Sequence, residues 1–484
     1  MSSVEDQDPP VYLQQAAPNY KWAVVGMLWF ICFFNYADRV AISSVNPILR
    51  EKFHFTNTEI GIIGSAFSWV YAFTAPFAGW VGDQISRKRL IIGGLYVWSL
   101  VTGFTGLCGK FWQFVAVRAT EGLGETFYIP ASMSLISDYH GKETRSRAIG
   151  LHQTSLYAGT VFGGALAGWM AAEYGWQSPF IFLGGAGIIL GLVLAAFIRE
   201  PVRGKSESVL LPEVRSPAMA MPEPATAVNQ ILFGGAFGLV FGTLLGTILT
   251  ALASSALPHP FAIGIVTGVL LGVVFAQVLW GMFGAICAKP TSLLLLLGFV
   301  GTNSVALVFL NWAPTYLFDV FGVPVSRAGL WATSTVQFGS MAGAMIGGLL
   351  ADRLRRRMKG GRIFVQGIGT LLGIPFLALF SFKPGLAVVL IALACFGIAK
   401  GIHDSNISAG FFDVVALKNR AAAVGMLNFV GWGAGAIWTV GFGMLVDKKV
   451  HMGTLIGANA GIYAVVCAVF MYAAFVRAPK DIRD

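Results

Sequence analysis

The stretch GWVGDQISRKR, residues 79–89, closes a long apolar run with Asp83 and then Arg87, Lys88 and Arg89. A near copy, GLLADRLRRR, closes another apolar run at residues 348–357 and carries Asp352 and Arg353 at the matching places. A charged corner used twice, each time at the end of an apolar segment, points to a chain built from two related halves.

Other matches fall in register with it. SDYHGKETRSRAIG (137–150) recurs as FDVVALKNRAAAVG (412–425), which aligns Asp138 with Asp413, Arg145 with Arg420 and Gly150 with Gly425 at one offset. NYAD (35–38) is echoed by NWAP (311–314). The 484 residues are 56% hydrophobic and 12% charged, too little charge to cover the surface of a soluble protein of this size. Apolar runs long enough to cross about 30 Å of hydrocarbon as helices recur throughout, and helices satisfy their own backbone hydrogen bonds there. Spans are expected near 20–48, 57–83, 88–108, 111–138, 144–172 and 177–199. A further pair is expected near 229–255 and 259–288, then six more near 292–320, 326–354, 362–382, 385–412, 418–446 and 453–478.

The sequence therefore predicts an all-α polytopic membrane protein with fourteen spans. A six-helix half covers 20–199 and a second 289–478, with an additional helix pair in 228–288. Residues 200–227 carry Pro201, Pro212, Pro217, Pro222 and Pro224 and read as a linker. Residues 1–19 read as a disordered cytoplasmic N-terminus and 479–484 as a cytoplasmic tail. The basic loops fall on the side of the termini, which places both termini in the cytoplasm of a multi-pass protein of the cell membrane. The net charge of +10 is spent on these topology signals, so no nucleic-acid partner is expected. The five cysteines lie scattered in apolar segments, without a metal-binding or disulfide pattern. No nucleotide loop or nucleophile arrangement marks an enzyme.

Gly79, Asp83, Arg87, Lys88 and Arg89 resemble the loop motif of the major facilitator superfamily, and Arg118 with Gly122 resembles its fourth-helix motif. The resemblance implies the major facilitator fold: two six-helix halves, here with two extra transmembrane helices between them, working by alternating access. It also gives Gly79, Asp83, Arg87, Lys88, Arg89, Asp352 and Arg353 a gating role, against the plainer reading that these charges only set topology. Ser86 stands where the superfamily usually has Gly, and the fifth span lacks the Pro of the antiporter motif. NYADR (35–39) and the spacing of Arg118 and Glu125 look like the anion:cation symporter family. APFAGWVGDQISRK (75–88), GLGETFY (122–128) and Ser86 look like the Spinster family, associated with lysolipids.

In RATEGLGETFYIP (118–130), Arg118, Glu121 and Glu125 share one helical face. A charge at bilayer depth costs several kcal/mol unless it faces protein or water, so this face is expected to line a central cavity. Burial and Arg118 act on the proton affinity of a carboxyl in opposite directions, which makes Glu125 the candidate proton site. The bland alternative is a fixed Arg118–Glu pair that only holds helices together. Asp38 and Arg39 fall in the outer half of the first span. The symporter resemblance implies a proton role for Asp38 and an anion role for Arg39.

The repeat offset sets Lys400 opposite Glu125, with His403 and Asp404 beside it on one face. Lys400 and His403 are candidates to bind an anion, and the alternative is that Lys400 and Asp404 neutralise each other. Gln153 and Tyr157 match Asn428 and Trp432. Gln153, Tyr157, Asn428 and Asn311 are candidate substrate contacts, with Tyr128, Trp312 and Gln337 as weaker ones, and interhelical packing is the competing role for each. The expected function is proton-coupled symport of a small organic anion, a sugar acid or carboxylate, by a secondary transporter. The alternative is a Spinster-like lysolipid transporter. No cofactor is expected beyond the proton as coupling ion. The expected partners are an anionic small molecule and membrane lipid, and the expected state is a monomer.

Overall fold

The structure, a computed structural model, describes residues 19–140, 144–200, 259–274, 289–415 and 420–482, with single positions at 242, 246, 284 and 286. Every regular element among the described residues is a helix. The first half comprises α1 (Tyr20–Phe53), α2 (Asn57–Gln84), α3 (Arg87–Thr105), α4 (Phe111–Thr126), α5 (Tyr128–Tyr139), α6 (Arg145–Tyr174) and α7 (Ser178–Phe197). After α8 (Pro260–Val274) the second half comprises α9 (Pro290–Phe321), α10 (Val325–Arg355), α11 (Gly361–Leu379), α12 (Leu386–Asp404), α13 (Ile407–Phe412), α14 (Arg420–Asp447), α15 (Met452–Tyr472) and a last turn, α16 (Ala478–Asp481).

Seven of the described helical stretches are long and apolar enough to cross a membrane. That count stops short of fourteen spans. The linker at 201–227 lies outside the described residues, and so does most of the extra pair at 228–288, apart from α8. The fourth span differs from expectation in being broken at Phe127 into α4 and α5. Pro130 explains the break: it has no N–H to give the carbonyl of Thr126, and its ring crowds that carbonyl. The equivalent span of the second half breaks between Asp404 and Ile407, into α12 and α13.

Three helix starts are tied by identifiable devices. Thr56 and Glu59 form a reciprocal capping box at the start of α2, with Thr56 N donating to Glu59 Oε2 (2.8 Å) and Glu59 N to Thr56 Oγ1 (3.1 Å). Ser86 caps α3, its hydroxyl accepting from Arg89 N and donating to Glu200, whose carboxylate also receives Arg87 N and Lys88 N. A glycine at 86 has no hydroxyl for this role. At the C-terminal end, Asp481 accepts from Thr291 N (3.0 Å) and Thr291 Oγ1 (2.6 Å) at the start of α9, which docks the start of the segment read as the tail.

Within the first half α1 packs on α6, α3 on α7 and α2 on α4; within the second, α10 packs on α12, α11 on α15 and α9 on α14. The halves meet where α2 packs on α14 and α6 on α10. Glycines permit the close approach: a Cβ on Gly168 would sit 2.6 Å from the Val325 carbonyl oxygen, and one on Gly61 2.9 Å from that of Thr439.

With both termini cytoplasmic, the outer ends of the halves are held by two polar clasps. Arg50 of α1 grips Asp319 of α9 with Nη1 at 2.7 Å and Nη2 at 2.5 Å. Asp447, the last residue of α14, accepts Asn57 N (3.0 Å), Asn57 Nδ2 (2.9 Å), Thr58 N (2.8 Å) and Thr58 Oγ1 (2.5 Å) at the first turn of α2. One half thus supplies the N-terminal anion that the other half's helix needs. Asp447→Asn keeps the shape and removes the charge. Charge-assisted hydrogen bonds contribute about 1.5–3 kcal/mol, so the variant should shift the population toward an outer-open state by roughly tenfold. Spin labels at Glu51 and Lys448 report the outer separation; an unchanged distance distribution would sink this assignment.

Candidate functional site

Asp38 and Arg39 lie just past the midpoint of α1. Arg39 reaches Glu125 of α4, with Nη2 at 2.5 Å and Nε at 3.1 Å from Oε2, and Nη2 also donates to Asn35 Oδ1 at 3.3 Å. Both partners are buried, 3% and 0% exposed. Of the two glutamates on its face Arg118 pairs with Glu121, one turn on, which is the Arg118–Glu pair of the plainer reading, and its Nη2 donates to the Arg39 carbonyl oxygen (3.4 Å). The side chains share a face, as read, but a residue from a neighbouring helix wins Glu125.

Rings enclose the Arg39 guanidinium. Its centre lies 4.5 Å from the Tyr36 ring centroid, 4.6 Å from Phe67, 5.3 Å from Tyr71 and 5.2 Å from Trp432. Three of these rings belong to the first half and Trp432 to the second, so the cation joins the two. Each such contact contributes about 0.5–2 kcal/mol. Sequence reading missed this cage, although Phe67 and Tyr71 stand four apart on α2 and therefore share a face. Beside the cage, Asp38 is buried, and neither of its oxygens has a hydrogen-bond partner among the described residues; the same holds for Glu125 Oε1 and Arg39 Nη1.

A cavity of about 340 Å³ lies between the halves. Tyr36, Arg39, Tyr157 and Thr160 line it from the first half, and Thr302, Asn303, Thr333, Gln337, Lys400 and Asp404 from the second. Apolar walls separate these groups, with Val40, Leu156, Phe299, Leu307, Phe309, Val336, Phe396 and Trp432 among them. Lys400 and Asp404 form an ion pair on α12.

Several expected contacts lie elsewhere. Gln153 is exposed on α6, away from the cavity, and Asn428 is half-buried outside it. Asn311 is spent on packing: its Nδ2 donates to Leu307 O (2.9 Å), and its backbone carbonyl receives Asn46 Nδ2 (3.4 Å). Trp312 Nε1 donates to Thr439 O (3.2 Å). His403 is buried behind Lys400 against Phe470. Tyr128 donates to Leu28 O (2.6 Å) and meets His152 Nε2 (2.9 Å).

At the cytoplasmic corners, Gly79 falls on α2 and the side chain of Asp83 lies outside the described residues. Arg87 pairs with Asp138 at the end of α5, while Lys88 meets Glu200 through its backbone and Arg89 is exposed. In the second half the matching carboxylate, Asp413, takes Arg355 (3.3 Å) and Arg362 (2.8 Å). Asp352 is exposed and, among the described residues, pairs with Arg362 at 3.6 Å, and Arg353 is exposed. The corner clasps thus centre on Asp138 and Asp413.

Residues 28–438 match the model of the Major Facilitator Superfamily. The chain belongs to that superfamily. It is 24% identical to the probable galactarate/D-glucarate transporter of Escherichia coli (strain K12), over 95% of this chain and 94% of the relative. It is 31% identical to protein spinster homolog 1 of Homo sapiens, over 42% of this chain and 39% of the relative. A bacterial homolog of the human lysosomal transporter Spinster, solved inward-facing and unoccupied, shares the fold with a TM-score of 0.72, 20% identity and coverage of 97% of this chain and 100% of that one. The protein is therefore a polytopic secondary transporter of a small organic or anionic solute, working by alternating access, and not an enzyme. Among the described residues no cluster of His, Cys, Asp and Glu is placed to hold a metal.

A buried ion pair broken on one side leaves an uncompensated charge, at a cost of about 3–5 kcal/mol. Glu125→Ala should lower the unfolding free energy by about that amount, and Arg39→Met/Glu125→Gln should recover most of it. Thermal unfolding in detergent measures both; a double variant no more stable than the single one would show that the pair is not the unit described.

Proposed function

We propose that the chain couples proton movement to the transport of an organic anion with an apolar body, which places the Spinster-like reading ahead of the sugar-acid one. The observation that carries this is the cavity: cationic Arg39 and Lys400 set among aromatic and aliphatic walls. Such walls suit an amphiphile better than a polyhydroxy acid, which needs a polar partner for each hydroxyl it buries. The identity to spinster homolog 1, higher than to the sugar-acid transporters, supports the same reading over the part it covers. A lysolipid with an anionic headgroup is the substrate class it proposes.

A second reading remains in competition because a specific observation favours it. Relatives matched over most of the chain are named as transporters of galactarate/D-glucarate and of L-galactonate, both from Escherichia coli (strain K12). Thr160, Thr302, Asn303, Thr333 and Gln337 offer a hydroxy acid several hydrogen bonds. In either case Glu125 and Asp38 are the proposed proton carriers. Each has carboxylate oxygen left unbonded in the buried network, and protonating Glu125 would release Arg39 toward the cavity.

Reconstituted protein should accumulate a radiolabelled anionic lysolipid under an imposed proton gradient. Glu125→Gln should lose accumulation while keeping at least a third of wild-type counterflow. Accumulation of glucarate without lysolipid uptake would install the second reading, and gradient-independent uptake of either would remove the proton.

A further inference from the structure

The cavity exposes two cations in opposite circumstances. Arg39 is enclosed by rings and held by Glu125, so freeing it leaves a buried carboxylate uncompensated. Lys400 is wet: its side chain is 20% exposed and that of Asp404 is 31% exposed. Among the described residues Asp404 is the only hydrogen-bond partner of Lys400, and Lys400 the only donor to Asp404. An ammonium carries three donors, so two face the cavity unspent.

The pair is also lopsided. Asp404 is the last residue of α12. Unsatisfied carbonyls make that end of a helix negative, which disfavours a carboxylate there and favours a lysine one turn back. Among the described residues no helix amide and no second cation holds Asp404 in place, in contrast to Asp447, which four donors fix. Next to the pair stand Phe299, Phe309, Val336 and Phe396, a wall fit for an apolar body.

Resting on the reading of this cavity as an anion site, we propose that Lys400 is the anion-docking group and Asp404 its internal counter-ion, displaced when a ligand carboxylate or phosphate arrives. Asp404 sets the affinity, because every anion must outcompete it. It also sets the charge class while Glu125 is ionised: Glu125 then neutralises Arg39, so displacement frees one cation, which matches a monoanion. A second negative charge on the ligand meets Asp404 without compensation.

Isothermal titration of the purified full-length chain in a neutral glycoside detergent tests this with dodecanoate and dodecanedioate, one apolar body with one or two carboxylates. Wild type should prefer dodecanoate. Asp404→Asn should bind dodecanoate about two- to fivefold more tightly, the worth of a partly exposed ion pair, and Asp404→Ser should repeat the gain. Lys400→Gln should weaken it about tenfold or more. If wild type binds dodecanoate and the Asp404 variants bind it no more tightly, the counter-ion role is overturned while the anion site stands. If Lys400→Gln leaves binding unchanged, the docking role is overturned. Absence of binding of either probe to wild type overturns the amphiphile reading itself.

Discussion

A guanidinium and a carboxylate buried at the same depth govern the first half of this protein. Removing both from water costs several kcal/mol per ion, and their attraction, about 4 kcal/mol at an effective dielectric of 20, does little more than offset it. The Arg39–Glu125 pair therefore adds little net stability. What it adds is intolerance of other arrangements: α1 and α4 must stay in the register that lets the pair close. The rings of Tyr36, Phe67 and Tyr71 extend that requirement to α2, and Trp432 extends it across to α14. A change in the charge of Glu125 is thus felt by a residue of the opposite half.

That link runs along the seam on which rocking must act. α2 and α14 pack over much of their length, with Trp432 against Tyr71 midway and Asp447 on the first turn of α2 at the outer end. Opening the outer side means uncapping α2, so the closed state owes part of its population to one carboxylate. Gly61 on this seam and Gly168 on the α6–α10 seam bring the helices together at the backbone, which suits surfaces that separate and rejoin.

The bundle was legible because its signals are local or repeated. Apolar runs mark helices, and the duplicated corners mark halves. The break at Phe127 was written in Pro130, although the run was read as unbroken. The site was legible only in part. Burial cost identifies Arg39, Arg118, Glu121, Glu125 and Lys400 as special whatever the fold. It does not say who pairs with whom: Glu125 lies seven residues from Arg118 and eighty-six from Arg39, and only the packing of α1 on α4 decides between them. Gln153 and Asn428 failed for a related reason. Repeat alignment transfers position along a helix, but rotation toward the cavity depends on neighbours, and the aligned Tyr157 and Trp432 face inward while the polar pair does not.

The repeat is also least faithful where it matters most. Position 125 of the first half is a glutamate, its counterpart at 400 a lysine, and the arginine at 39 has no cationic counterpart near Asn311. Duplication supplies two similar scaffolds, and the halves carry different ion pairs on them, Arg39–Glu125 in one and Lys400–Asp404 in the other. Divergence left one wall with a dry, caged pair and the other with a wet, loosely held one. The dry pair suits a proton, which needs no space to arrive. The wet pair suits a solute, which must displace something in order to bind. On the proposed reading a single cavity responds to both, because the two tasks fall on different ion pairs in different halves.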